Sequence, residues 1–229
     1  MHVPDGFFDV PTSVATGVVA AAGVSVALRR ARHELDDRTA PMAGLVATFV
    51  FAGQMMNFPV GAGTSGHLLG GALAAVLAGP WTAVLAITVV LSVQALLMAD
   101  GGITALGTNV TLMALVGVAV GWLIFKVLRS VLPKRLALVA PAAAVGALVS
   151  VPAAAAVFTL LFSVGGTAPI DTGTVLVAML GWHTVIGIGE AVITGLVVAG
   201  VVAVRPDLCY GARPVLRERP LEVRAGMAP

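Results

Sequence analysis

Three histidines carry most of the chemistry this chain can offer: His2, His67 and His183. An imidazole binds metals or moves protons near neutral pH, and position 2 adds a special geometry. A free α-amine at Met1, the backbone nitrogen of residue 2 and the Nδ1 of a histidine there close two fused chelate rings around one cation. Three nitrogens then fill three corners of a square, and one further histidine, His67 or His183, would supply the fourth. Removing an amide proton is costly, so such a planar nitrogen field favours Ni²⁺ or Cu²⁺. Two carboxylates belong to the same inventory. Asp100 opens Asp100-Gly101-Gly102, and Glu190 follows His183 by seven residues. That spacing puts both on one helical face, about 10 Å apart along the axis.

Each of these residues also has a plainer reading. His2 alone would be a solvated terminus, His67 a helix cap beside a glycine-rich turn, and His183 a histidine bonded to a backbone carbonyl. Asp100 reads first as a turn residue. Glu190 reads as a group paired or protonated within a bundle, and His33, among Arg29, Arg30, Arg32 and Arg38, as a solvated loop histidine. Met55, Met56 and Met98 fit packing better than soft-metal ligation. Gln54, Asn57, Gln94 and Asn109 fit interhelical hydrogen bonds, worth about 1 kcal/mol each.

The elements that must position these groups are membrane helices. The 229 residues are 59% hydrophobic and 10% charged, where soluble domains carry about 25% charged residues. A water-soluble globular protein is excluded. The formal charge of +2 comes from bases confined to 29–38, 126–135 and Arg205 to Arg224, a pattern that reports topology rather than a nucleic-acid surface. The single Cys209 can form no internal disulfide. The first eleven residues lack the basic start of a cleavable signal peptide, so the encoded N-terminus is expected to persist.

A crossing helix needs about 20 mostly apolar residues. Residues 10–28, 105–125, 137–162 and 182–203 each supply one. The uncharged stretch 39–99 is divided by Asn57-Phe58-Pro59 and Gly79-Pro80 into roughly 41–57, 66–79 and 81–98. The expectation is an all-α integral membrane protein with seven transmembrane helices, its N-terminus outside and its C-terminus inside. Parity agrees, since four spans then separate the first two basic segments and two separate the second from the tail. Residues 1–204 form the expected transmembrane domain and 205–229 a short cytoplasmic tail, loosely ordered from Pro206. The 66–79 span is short, which suggests a re-entrant loop over 58–66. Gly66, Gly70, Ala74 and Ala78, spaced four apart, suggest a small-residue packing seam.

Several motifs together resemble the substrate-specific M component of cobalt/nickel energy-coupling factor transporters. They are Met1-His2-Val3-Pro4-Asp5-Gly6-Phe7, Gly61 to Leu73 with its Gly63-Thr64-Ser65-Gly66-His67 core, Gly79-Pro80-Trp81, Gln94 to Asn109, and Gly187 to Gly195 with Glu190 inside it. The resemblance covers residues 1 to about 208. It implies a multi-pass plasma-membrane subunit that captures Ni²⁺ or Co²⁺ through the Met1 amine, the His2 amide and imidazole, and His67. It leaves His183, Asp100 and Glu190 to supporting or gating roles. It also implies partners: a transmembrane coupling subunit, a cytoplasmic ATPase pair and often a small auxiliary membrane subunit. No cofactor is expected, the metal being cargo.

The chain has no Gly-x-x-x-x-Gly-Lys-Ser/Thr loop, so ATP hydrolysis is expected from partners and not from this chain. Two other function classes compete. A stand-alone metal channel or secondary transporter would place titratable groups through the bilayer, and only Glu190 approaches mid-depth. An intramembrane serine protease would use Ser65 as nucleophile and His183 as base, but a short Gly/Ser motif is weak in a chain with 27 glycines.

Overall fold

The fold was obtained as a computed structural model that describes residues 1–35, 40–61 and 64–217. Arg38, Arg219 and Arg224, and Ala62-Gly63 of the glycine-rich segment, lie outside the described residues. Helix α1 spans Val10–Ala31, begins at Asp9, whose side chain accepts the Thr12 N–H, and ends on Arg29 and Arg30. Helix α2 spans Ala40–Met55. Strands β1 (Phe58–Gly61) and β2 (Thr64–Gly66) pair antiparallel as a short hairpin. Helices α3 (Gly71–Ala78) and α4 (Pro80–Leu97) follow, with Pro80 tolerated in a first turn that has no intrahelical N–H partner to lose.

Helix α5 spans Leu106–Val131 and winds as a π-helix over Val110–Gly117. Helix α6 is Val139–Gly165 and α7 is Thr172–Val204, the latter started by Asp171 accepting the Thr174 N–H. Short turns at Pro206–Leu208 and Tyr210–Ala212 lead to α8, Arg213–Arg217. These last residues pack against the bundle: Cys209, Ala212 and Val215 are buried, which corrects the loosely ordered tail for 206–217.

The seven-span expectation is overturned. Among the described residues five helices, α1, α4, α5, α6 and α7, are long and apolar enough to cross a membrane. Helix α2 has 16 residues and α3 only eight, about 24 Å and 12 Å against a hydrocarbon core of about 30 Å. Parity could not detect this, because removing a pair of crossings leaves every count between basic segments even. The outside and inside assignment of the termini came from the one span before Arg29 and the placement of the basic segments, and is independent of that count. What the fold gives is relative: residues 1–9 lie at one end of the bundle, and Arg30, Lys126 and Arg213 meet at the other.

The expected packing seam is corrected as well. Gly66 belongs to β2, and Gly70, at φ +77°, precedes the helix in a left-handed conformation that glycine adopts without strain. The close approach instead uses Gly71 and Ala72. A Cβ on Gly71 would stand 2.8 Å from the Gly117 carbonyl carbon, and one on Gly121 would stand 2.7 Å from the Ala72 Cβ. Every residue of α3 is buried, so this short helix is the axis around which the long ones pack.

Ahead of α1, the chain is stitched inward. The Gly102 N–H donates to the Val3 carbonyl (2.8 Å), the Asp9 N–H to the Gly165 carbonyl (2.7 Å), and the Thr167 N–H to the Phe7 carbonyl (3.1 Å). Asn109 accepts the Val3 N–H at 2.8 Å and donates to the Val3 carbonyl at 3.2 Å. Asp5 accepts from the Thr104 hydroxyl and backbone N–H, which hold its carboxyl below the usual carboxylate range. A lowered folded pKa means the Asp5 contribution is complete above about pH 4 and is lost as pH falls through the folded value. Asp5→Asn should therefore melt below the wild type at pH 6, with the gap closing toward about pH 3; a gap independent of pH would assign the loss to something other than ionisation.

Candidate metal centre at the buried N-terminus

Met1 and Val3 are fully buried, and Phe7 and Phe8 pack on Phe158 and Phe162 of α6. This apolar anchor draws residue 1 into the bundle. Burial holds the Met1 amine well below the ordinary α-amine range, with the Asp100 carboxylate pulling it partly back. A neutral amine is a Lewis base, so desolvation here favours the form that can donate to a metal.

His2 and His67 meet beside it. Their rings stack with centroids 4.3 Å apart and planes 25° from parallel. The His2 Nε2 faces Gln94 Oε1 at 3.2 Å, and the His67 Nδ1 faces the Leu68 carbonyl at 2.8 Å. The Leu68 carbonyl only accepts, so His67 carries its proton on Nδ1 and leaves a lone pair at Nε2, whereas His2 faces an acceptor on each side, Gln94 Oε1 and Asp100 Oδ1. His2 Nδ1 and His67 Nε2 are both buried without an aligned hydrogen-bond partner. Asp100 Oδ1 lies 3.0 Å from His2 Nδ1, a charge contact rather than an aligned hydrogen bond. The His2 imidazole, burial notwithstanding, keeps Asp100 below its usual range, with Asn57 donating to Asp100 Oδ2 at 3.2 Å as a further cause. A cation placed among these groups would find a carboxylate already held nearby.

His67 is pushed well below the usual imidazole range, first by burial and then by the Met1 amine and His2. His183, also fully buried on α7, repeats the pattern: its Nδ1 donates to the Met179 carbonyl at 2.8 Å, and its Nε2 has no partner. Glu190, beyond Gly187 on the same buried stripe, does not reach this cluster as a ligand. Its two oxygens accept the N–H groups of Leu69 (2.8 Å) and Gly70 (3.0 Å), so it fixes the segment that carries His67. His33 is exposed, as its loop position implied.

Among the described residues, no three His, Cys, Asp or Glu side chains form a group that could hold a metal. Side chains alone do not complete a metal site here.

Three positioning residues were read in the sequence only as generic hydrogen bonders. Gln94 orients His2, Asn109 clamps Val3, and Gln54 donates to the Leu69 carbonyl at 3.0 Å. Their signal was available: uncharged amides buried in otherwise apolar helices, all near the end where the histidines gather.

Comparison with known proteins gives a consistent result. Residues 2–208 match the family described as the cobalt uptake substrate-specific transmembrane region. A Haloquadratum walsbyi protein described as a metal transport protein is 40% identical over 92% of this chain and 94% of its own length. The fused nickel transport protein NikMN of Rhodobacter capsulatus is 33% identical over 99% of this chain and 69% of its own. The crystal structure of a transition metal transporter superposes with a TM-score of 0.82 at 32% identity, covering 89% of this chain and 93% of that one.

The role of Glu190 can be tested directly. Glu190→Gln turns an amide NH₂ toward one of the two backbone donors, leaving a buried N–H unpaired at a cost of about 1–3 kcal/mol. Hydrogen exchange at Leu69 and Gly70 should accelerate roughly 10- to 100-fold, while exchange along α1 stays unchanged; uniform acceleration would mean global destabilisation instead.

Proposed function

This chain belongs to the cobalt-uptake substrate-specific transmembrane family, and we propose that it captures Ni²⁺ or Co²⁺ in a planar field of four nitrogens. The chain is a multi-pass membrane subunit of a metal-import system, not an enzyme. The proposed donors are the Met1 amine, the His2 amide nitrogen, His2 Nδ1 and His67 Nε2. The observation that carries this reading is a pair of buried imidazole nitrogens without hydrogen-bond partners, on stacked rings beside a buried, desolvated amine.

Main-chain donors explain how the site forms without three clustered side chains. Two of the four nitrogens belong to the backbone, where the strap of residues 1–9 delivers them. Asp100 offsets the charge of the arriving cation, Gln94 holds the His2 ring in place, and the Leu68 carbonyl holds His67 with its Nε2 lone pair toward the metal. His183, with its free Nε2, is assigned a supporting or gating role next to the ligands. The amide donor and planar geometry lean toward Ni²⁺.

Transport needs an energy source this chain lacks. A transmembrane coupling subunit and a cytoplasmic ATPase pair are the proposed partners, with a small auxiliary membrane subunit in addition; relatives named as fused nickel transport proteins support such an assembly. The stand-alone channel and the Ser65/His183 protease are left without support by the family match.

The test is titration of the purified protein with Ni²⁺ and Co²⁺ beside a variant extended by one residue before Met1. Tight one-to-one binding is expected only with the native terminus, because extension converts the amine to an amide. His67→Ala should lose the metal and Ser65→Ala should keep it. Equal binding by native and extended chains would overturn the terminal chelate.

A further inference from the structure

Charge is divided between the two ends of the bundle. All 13 Lys and Arg lie within 29–38, 126–135 and 205–224. None lies in the four segments that meet around the N-terminal strap, 1–9, 56–70, 98–105 and 165–171. Those segments carry four carboxylates, Asp5, Asp9, Asp100 and Asp171. Asp5 and Asp171 are exposed and Asp9 is partly so. Asp9 and Asp171 each accept one backbone N–H at a helix start, from Thr12 and Thr174. The Met1 amine does not offset these acids, since burial holds it well below the ordinary α-amine range.

An acidic face by itself selects nothing. Here it leads to a buried nitrogen: His2, only 4% exposed, has no aligned partner at Nδ1, and Asp100 Oδ1 lies 3.0 Å from that atom. Asp100 is built into a turn that holds it there. Its N–H donates to the Gln94 carbonyl at 3.0 Å, and Asn57 donates to Oδ2 at 3.2 Å. Ala99 before it takes φ +51°, a left-handed conformation that is costly for a residue with a Cβ. Gly101 behind it approaches His2 so closely that a Cβ would stand 3.3 Å from the ring Cδ2. The Asp100 side chain is 16% exposed, against 4% for His2 and 1% for His67. Asp100 therefore faces solvent and the buried nitrogens at once.

Buried donors cannot be the first groups that a hydrated cation meets. Charge of one sign around a low-dielectric opening focuses the field there and raises association rates about 10- to 1,000-fold. Resting on the four-nitrogen reading above, we propose that the acid-only end steers the hydrated divalent cation to Asp100, which receives it first and hands it to His2 Nδ1. Asp100 is an entry residue and not one of the four donors. Asp5, Asp9 and Asp171 act at a distance, through the field. Such charges change how fast a ligand arrives and how strongly salt slows it, whereas departure is governed by the donors.

The experiment is stopped-flow mixing of Ni²⁺ with the full-length protein in neutral detergent, read at the absorption of the bound ion, from about 0.01 M to about 1 M salt. Association with the wild type should slow at least about 10-fold across that range, with dissociation nearly constant. Asp9→Asn/Asp171→Asn preserves both helix caps, because asparagine caps as well as aspartate. It should slow association about 3- to 10-fold at low salt, and the gap should close at about 1 M, where charges are screened beyond about 3 Å. Asp100→Asn should slow association at least about 10-fold while the absorption band of the bound ion keeps its position. A shifted band would make Asp100 a donor and overturn the entry role. Association independent of salt, or equal association in the wild type and the double variant, would overturn the steering. Failure of the underlying reading looks different: equal, salt-dependent association and equal affinity in native and N-terminally extended chains would refute the terminal chelate and still support the steering.

Discussion

Burying the end of a polypeptide is the constraint from which most of this structure follows. An α-amine is ordinarily charged and solvated, and taking it out of water is costly unless it is neutral or paired. Here it is buried, lowered in pKa by that burial and steadied by Asp100. The price is met by apolar contact from Phe7 and Phe8 and by backbone bonds to three separate turns. Those turns are 100–102, the start of α5 at 104–109, and the α6 to α7 connection at 165–167. The ends of four long helices are arranged around a strap of nine residues.

A second constraint is shared by both ends of the bundle. Helix starts in an apolar interior expose N–H groups that nothing in their own coil can satisfy. Two buried carboxylates answer it in the same way: Glu190 accepts the Leu69 and Gly70 N–H groups ahead of α3, and Glu34 accepts those of Trp81 and Thr82 at the start of α4. Each acid sits where the helix dipole is positive. These are acids that hold chain segments, and the histidines are left to do the donating.

The sequence revealed the residues that gather at the strap better than it revealed the scaffold. His2, His67 and Asp100 lie together at one end of the bundle. The span count failed for a definite reason. Hydropathy sees apolar stretches, but α3 is apolar because it is the core, not because lipid surrounds it. Its eight residues were merged with the preceding hairpin into one crossing, and parity concealed the error by pairing it with α2. Gln54, Gln94 and Asn109 were seen without their roles, since an amide's partner on a distant segment leaves no trace in local spacing. The direction of Glu190 was equally hidden: its spacing from His183 indicated a shared face, whereas its partners lie 120 residues away in the chain.

The stitching of the strap also dictates an order of assembly. Thr167 donates to the Gly6 carbonyl across 161 residues, so the strap ahead of α1 finds its place only after the later helices are present. Until α6 and the turn behind it have been inserted, Phe7 and Phe8 lack Phe158 and Phe162 to rest on. Contacts of such long sequence separation form late in folding. A partly inserted chain would thus present the helices without the histidine pair, and maturation of the N-terminal cluster becomes a report that the whole bundle has closed.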